Sequence, residues 1–168
     1  ADPMIAEREL GGGRAIEYFE GSYRDFVEMP SAVSSYRELF GGLATNGNTP
    51  ALVHCTTGKD RTGWATAALL LLLGVAEDDV FHDYLLTNEL LLPAFAGVFE
   101  KFVDAGGDPA LLEPVLGDRE QYLQVSLAAM RVLGEKGFEL PAKVAYVAGH
   151  SLGEYSALAA SGPPSPAH

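Results

Sequence analysis

The chain has 168 residues, 48% of them hydrophobic and 20% charged, which is enough for one domain with a buried core. Asp and Glu outnumber Lys and Arg 23 to 11, a formal net charge of -12, so nucleic acid is not an expected partner: neutralising a phosphate backbone needs surplus cations. A single cysteine, Cys55, excludes an internal disulfide framework and a Cys-based zinc site.

Ala1-Asp2-Pro3 ahead of Met4 reads as an added leader, with Met4 as the natural start or the chain as a cut-out piece. No basic region followed by an apolar core opens the chain, so a cytoplasmic protein, or one exported without a visible signal peptide, is expected. No transmembrane segment is expected, because the longest apolar stretch, 67–75, is about nine residues and a span needs about 20. Residues 1–19 read as an N-terminal segment broken by Gly11-Gly12-Gly13. Tyr18, Phe19, Tyr23 and Phe26 form an aromatic group whose structure the sequence leaves open, with packing favoured over a place in a cleft.

Pro30 opens a predicted helix to about Ala44, with Val33, Tyr36 and Phe40 at helical spacing. Asn46-Gly47-Asn48 ends it. Residues 51–54 read as a short apolar strand buried on both faces, 55–60 as a polar loop, and 61–73 as an Ala- and Leu-rich helix closed by Gly74. Helices are predicted at about 78–89, 93–104 and 118–134, the last with Leu123, Leu127 and Met130 on one face. Glu77-Asp78-Asp79 complements a helix dipole, Trp64 belongs to the core, and His82 has no partner at metal spacing. A strand at 143–148, a turn at 149–153, a short helix at 154–160 and a Pro/Ser/Gly-rich tail at 161–168 follow. The expected class is α/β: helix-rich, with a small parallel sheet.

The segment from Val53 to Gly63 carries the chemistry. A strand ends in Cys55, five residues follow, and Arg61 opens a helix. A loop of that length curls its N–H groups inward, and the helix adds the positive end of its dipole, which makes an oxyanion cradle with a sulfur at its floor. Gly58 supplies the positive φ of the curl, and Arg61 offers a planar fork to two phosphate oxygens. A free thiol, with a pKa near 8.5, is only about 3% thiolate at pH 7. A drop of roughly two to three units makes it mostly thiolate and able to attack phosphorus.

His54-Cys55-Thr56-Thr57-Gly58-Lys59-Asp60-Arg61-Thr62-Gly63 resembles the signature of the cysteine-dependent phosphatases, in the form found in bacterial tyrosine/lipid phosphatases of the mycobacterial phosphatase B type. Tyr23-Arg24-Asp25-Phe26, Asp83-Tyr84-Leu85-Leu86-Thr87-Asn88 and 116–123 also resemble stretches of that family, so the likeness covers about 20–134, read as a phosphatase-like domain. The resemblance implies phosphomonoester hydrolysis on phosphotyrosine or phosphoinositide substrates, through a phosphocysteine, with no metal and no cofactor. It implies Cys55 as nucleophile, Arg61 as phosphate binder and Asp60 as proton donor. Thr56, Thr57, Gly58 and Thr62 then line the phosphate site, Lys59 draws acidic substrates, and His54 supports the loop backbone and tunes Cys55. The family's strand-rich segment with an Asp-Leu-Arg stretch has no counterpart in the 54 residues before Cys55, which leaves the sheet incomplete.

Gly149-His150-Ser151-Leu152-Gly153, between a predicted strand and helix, has the form of a nucleophile elbow. With Glu154-Tyr155-Ser156-Ala157-Leu158 it resembles the active-site segment of malonyl-CoA:acyl-carrier-protein transacylases, in which Ser151 is an alternative nucleophile. That likeness covers only about 142–162. No base follows Ser151 except His168 in the tail, so a strand–turn–helix without acyl-transfer chemistry is expected; the alternatives to hydrolysis are an acyltransferase fragment using Ser151 and a non-catalytic phosphate-binding module.

Overall fold

A computed structural model describes residues 2–45 and 47–135, which fold as a helical assembly. Helix α1 spans Pro3–Leu10, α2 Arg14–Glu28, α3 Pro30–Leu43, α4 Asp60–Leu72 and α5 Glu77–Leu90. A 3₁₀ turn at Leu92–Phe95 leads into α6, Ala96–Asp104. A second, at Pro109–Leu111, precedes the one-turn α7, Glu113–Leu116, and α8 runs Glu120–Glu135. The predicted strand at 143–148, the Ser151 elbow, the helix at 154–160 and the tail lie outside the described residues.

Local signals place these elements. Asp2 caps α1: its Oδ1 accepts from the N–H groups of Met4 at 2.8 Å and Ile5 at 3.3 Å, and Pro3 takes the first helical position. Residues read from sequence as a leader therefore start a helix. The unassigned stretch is α2, and its core residues, Ile16, Phe19, Tyr23, Phe26 and Val27, fall at three- and four-residue steps. Pro30 opens α3 as expected, again at a first helical position.

Residues 51–55 depart from the expected strand. Among the described residues no strand is formed, and this stretch runs as irregular chain. Leu52 is 60% exposed rather than buried on both faces. A strand needs a neighbour to take its N–H and C=O groups, and none lies alongside among the described residues. The small parallel sheet is accordingly absent from the part described.

Helix α4 is the structural axis. Every residue from Thr62 to Leu69 is buried, so the helix shows no polar face over two turns, as befits one enclosed all round. Trp64, Ala65, Ala68 and Leu69 belong to a core that also takes Tyr23 and Val27 of α2, Phe40 and Leu43 of α3, Val80 and Tyr84 of α5, and Tyr122, Leu123 and Leu127 of α8. The aromatic group of α2 is shared out. Phe19 stacks on Tyr122 with centroids 5.4 Å apart, Tyr23 is fully buried, and Tyr18 stays 70% exposed. A smaller core of Ala6, Phe102 and Leu112 joins α1, α6 and the segment before α7.

Leu69→Ala is expected to lower stability by about 2–5 kcal/mol, because it opens a cavity where the side chain is fully buried. Val98→Ala, at a site 48% exposed, is expected to change stability by less than about 0.5 kcal/mol. Urea unfolding of both variants checks the pair, and equal losses would contradict the placement of the core.

Candidate active site

The loop 55–59 leads directly into α4, and its curl turns on Gly58, buried at φ +73°. A side chain there would be strained, since β-carbons crowd the backbone in the left-handed region. The Gly63 N–H reaches back to the Lys59 carbonyl at 2.6 Å, closing the first turn of α4. The free N–H groups of that turn therefore face the loop interior, with the positive end of the helix dipole behind them.

Cys55 is half-buried at this helix end. Burial alone would raise its thiol, but hydrogen bonds outweigh it and the net effect lowers the pKa. They come from the Thr62 hydroxyl and from the backbone N–H groups of Thr62, Gly58 and Thr57. Thr62 is 2% exposed, and its hydroxyl, which has no other partner among the described residues, acts on the Cys55 thiol to lower its pKa. His54 lies with Nδ1 3.0 Å from the Cys55 carbonyl, which requires Nδ1 to be the donor and fixes the tautomer. Arg61 donates from Nη2 to Thr56 Oγ1 at 2.9 Å, so the loop steers its guanidinium. The Tyr36 hydroxyl of α3 reaches the Arg61 carbonyl at 3.4 Å.

Cys55, His54, Arg61 and Thr62 line an open cleft of about 650 Å³ between the loop, α2 and α3. Tyr18, Phe26, Met29, Tyr36 and Leu39 give it apolar walls, while Ser22, Asp25, Ser31 and Ser35 add polar groups. Burial holds the Tyr36 phenol well above its usual range, against the pull of Arg61, so it faces the cleft as a neutral hydroxyl. Thr57 is exposed and contributes its backbone, and Thr56 is exposed and holds Arg61.

Lys59 turns the other way, while Asp60 keeps its side chain 25% exposed and is not among the residues that line the cleft. Lys59 was expected to draw acidic substrates, but it is 4% exposed and absent from the cleft lining. Its Nζ donates to Asp60 Oδ1 at 2.7 Å, to the Gly117 carbonyl at 3.1 Å and to Asp118 Oδ1 at 3.3 Å, and lies 5.0 Å from the centroid of the Phe19 ring. An ammonium taken from water needs its three hydrogens met, and here the next residue and one distant stretch of chain, 117–118, supply the oxygens that meet them. Asp60 Oδ1 accepts from Lys59 and from the Tyr23 hydroxyl at 3.3 Å.

The three outlying stretches that resemble the phosphatase family converge on this lysine. Tyr23 comes from the first, Tyr84 and Asn88 from the second, and Gly117, Asp118 and Tyr122 from the third. Asn88 clamps the Asp118 backbone both ways, accepting from its N–H at 2.7 Å and donating to its carbonyl at 2.9 Å. Gly117 leaves room for this clamp, since a β-carbon there would come within 2.9 Å of Asn88 Oδ1. Sequence reasoning marked these stretches but missed Asp118, Tyr23 and Tyr84 as part of the site. Their signal was the recurrence of three family-like strings around polar residues, and no spacing rule joins positions so far apart.

Among the described residues no group of three or more His, Cys, Asp or Glu is placed to hold a metal ion, and no helix is long and apolar enough to cross a membrane. Ser151, the alternative nucleophile, lies outside the described residues.

Comparison with known proteins fits this geometry. A protein of Cupriavidus necator assigned by name to the tyrosine-protein phosphatases is 39% identical over 97 residues, covering 56% of this chain and 36% of that protein. The triple specificity protein phosphatase PtpB of Mycobacterium tuberculosis is 35% identical over 75 residues, 45% of this chain and 26% of its own length. A tyrosine-protein phosphatase of Nostoc commune is 36% identical over 56 residues, 33% of this chain and 19% of that protein. The chain thus spans about a third or less of the curated relatives it matches. The family model described as the tyrosine phosphatase family matches residues 1–133, which takes in the loop, α4 and all the stretches that meet at Lys59. This chain belongs to the tyrosine phosphatase family.

Proposed function

We propose that the protein hydrolyses phosphomonoesters through a phosphocysteine, with aryl phosphates such as phosphotyrosine as the preferred substrates. The observation that carries this is Cys55 at the head of α4, its sulfur stabilised as thiolate by Thr62 and the loop N–H groups, at the floor of a cleft beside Arg61. The thiolate attacks phosphorus, the ester P–O bond breaks, and the leaving oxygen takes a proton from Asp60. Water then attacks the phosphocysteine, Asp60 takes the proton from that water, and the S–P bond breaks to release inorganic phosphate. Arg61 and the loop N–H groups hold the phosphoryl oxygens throughout, where the transition state needs them most.

The apolar walls of Phe26, Met29 and Tyr36 suit an aromatic ring carrying the phosphate. Phosphoinositides are the second substrate class. Arg61 is the sole Lys or Arg among the described residues lining the cleft, so a headgroup with several phosphates finds one strong partner where a monophosphate needs no more. The specificity named for PtpB is that protein's, and a comparison of turnover on the two classes decides the order here.

Cys55→Ser is expected to abolish turnover of p-nitrophenyl phosphate while tungstate still binds, because the cradle is made of backbone and Arg61 and a serine hydroxyl does not ionise there. Retained turnover would remove Cys55 as nucleophile. Arg61→Lys keeps the charge but loses the fork, and kcat/KM is expected to fall roughly 10²–10⁴-fold, about 3–5 kcal/mol of transition-state binding.

Thr62→Val removes the hydroxyl that favours the thiolate and keeps the shape. The Cys55 pKa is then expected to rise by about one unit, so the thiolate is lost at a higher pH, and alkylation by iodoacetamide at pH 6 slows roughly three- to tenfold. An unchanged pH profile of alkylation would remove Thr62 from the activation of the thiol.

A further inference from the structure

We propose that Asp25 sets substrate specificity: it receives a cationic side chain that flanks the phosphotyrosine, so the cleft takes one phosphate and one positive charge together. The inference rests on the aryl-phosphate reading given above and names the class of peptide within it. Asp25 is the sole Asp or Glu among the described residues that line the cleft, as Arg61 is its sole Lys or Arg. Asp25 is exposed, and no ion pair claims it among the described residues. Arg61 donates to Thr56 instead. The cleft therefore holds two opposite charges that do not cancel each other by contact, and each is open to a group on a bound molecule.

The place of Asp25 follows from α2. Tyr18, Ser22, Asp25 and Met29 follow one another at three- and four-residue steps, which puts them on one face of the helix, and all of them line the cleft. Phe26, next in sequence, lies with its ring centroid 6.2 Å from those of Tyr36 and Trp64 and walls the aryl site. The Ser22 hydroxyl donates to the Tyr18 carbonyl at 3.0 Å, so its hydrogen is committed and its lone pairs remain for the cleft. With the carboxylate beside it, this wall is an acceptor surface that suits N–H groups and opposes phosphate. Burial, Thr62 and the loop N–H groups act most on the Cys55 thiol, and burial, Arg61, Cys55 and Asp60 act most on the Tyr36 phenol; Asp25 is in neither set. Its carboxylate thus stands clear of the reacting sulfur and meets the part of a substrate that lies beyond the phosphate.

A phosphotyrosine within a peptide meets these demands. Its phosphate goes to Arg61 and the loop N–H groups, its ring to the wall of Phe26 and Tyr36, and the chain that continues from it brings amide N–H groups and side chains along α2. A Lys or Arg next to the phosphotyrosine then pairs with Asp25, whereas a Glu there faces it with like charge. A lipid headgroup with several phosphates sets a second anion against the same acceptor wall, so the peptide is the better fit. The net charge of -12 draws cationic molecules to the whole surface, an effect that salt screens. Asp25 acts inside the cleft, and removing that one charge separates its pull from the general field.

The test measures kcat/KM on phosphotyrosine peptides that carry Lys, Ala or Glu beside the phosphotyrosine, for the wild-type protein, Asp25→Asn, Asp25→Lys and Glu100→Gln. Glu100 is exposed on α6, which adds nothing to the cleft lining among the described residues, so Glu100→Gln loses the same charge elsewhere. The wild-type protein is expected to prefer the Lys peptide to the Glu peptide roughly five- to tenfold at low salt. That ratio is expected to fall to about twofold or less in Asp25→Asn, to reverse in Asp25→Lys and to persist in Glu100→Gln. Each ratio is taken on one protein, so a lower folded fraction cancels. An undiminished ratio in Asp25→Asn would overturn the proposal, and an equal fall in Glu100→Gln would assign the preference to net charge alone. A second measurement leaves Asp25 in place: Cys55→Ser is mixed with the Lys peptide, and a carbodiimide couples the lysine amine to the nearest carboxylate. Peptide mapping is expected to find the bond at Asp25, and coupling only at other carboxylates would refute the contact. The underlying reading fails separately. A wild-type protein with no Cys55-dependent turnover of p-nitrophenyl phosphate is not a phosphatase of this kind. Higher kcat/KM on a short-chain phosphatidylinositol phosphate than on every peptide would overturn the aryl preference and this inference with it. Equal turnover of all the peptides sinks only the role of Asp25.

Discussion

Lys59 is the interaction on which the site depends. Its ammonium is withdrawn from water and held by two carboxylates and a carbonyl, and those oxygens come from the loop itself and from the segment between α7 and α8. Burying an ammonium without partners is too costly to persist, so the loop can adopt its curl only when Gly117 and Asp118 are in place to receive the lysine. Breaking such a buried pair from one side typically costs about 3–5 kcal/mol. The loop is thereby tied to the packing of α2 and α5, since Tyr23 of the first and Tyr84 and Asn88 of the second hold the same cluster.

The opposite face of the same loop is left free for chemistry. Consecutive residues divide the work: Lys59 reaches inward, Asp60 sets one oxygen on it with the side chain 25% exposed, and Arg61 turns to the cleft and is steered by Thr56. The change of direction falls where the chain passes from the Gly58 turn into the first turn of α4, where the backbone rotates side chains by about 100° per residue. Asp60 stands between the two sides, bound to the buried cluster by Oδ1 and adjacent in sequence to Arg61. The Asp60 carboxyl is thus held by Lys59 and Tyr23, neither of which lines the cleft.

The helical frame sets this arrangement without a sheet in the part described. In the expected scheme a parallel strand would carry Cys55 and fix its height. Here the height is set by α4, buried all round from Thr62 to Leu69, and by Trp64 and Phe40 beneath the cleft wall. A helix packed on every side cannot rotate or slide without opening voids, so its N-terminal end is a fixed point, and the N–H groups that stabilise the Cys55 thiolate are fixed with it.

What the sequence by itself determined is local. Cys55, Gly58 and Arg61 lie within seven residues, and a turn that needs positive φ, a helix start and a planar guanidinium follow from residue type and short spacing alone. The helix at Pro30 was legible from a punctuating residue and its own periodicity, and the one at Asp60 from its Ala- and Leu-rich run closed by Gly74. The helix over Arg14–Glu28 carried its signal in Ile16, Phe19, Tyr23 and Phe26, but the glycines before it and Gly21 within it obscured the period. What only the tertiary structure decided is where the charges go. Lys59 read as a cation that draws acidic substrates, and Asp118 carried no mark of its own, because burial depends on which distant segments arrive to replace water. Asp60 and Asp118 meet one ammonium across 58 residues of chain, and the fold alone supplies that encounter. The strand expected at 51–55 belongs to the same class: apolar residues in a row are compatible with a strand, but a strand exists only where another segment accepts its hydrogen bonds.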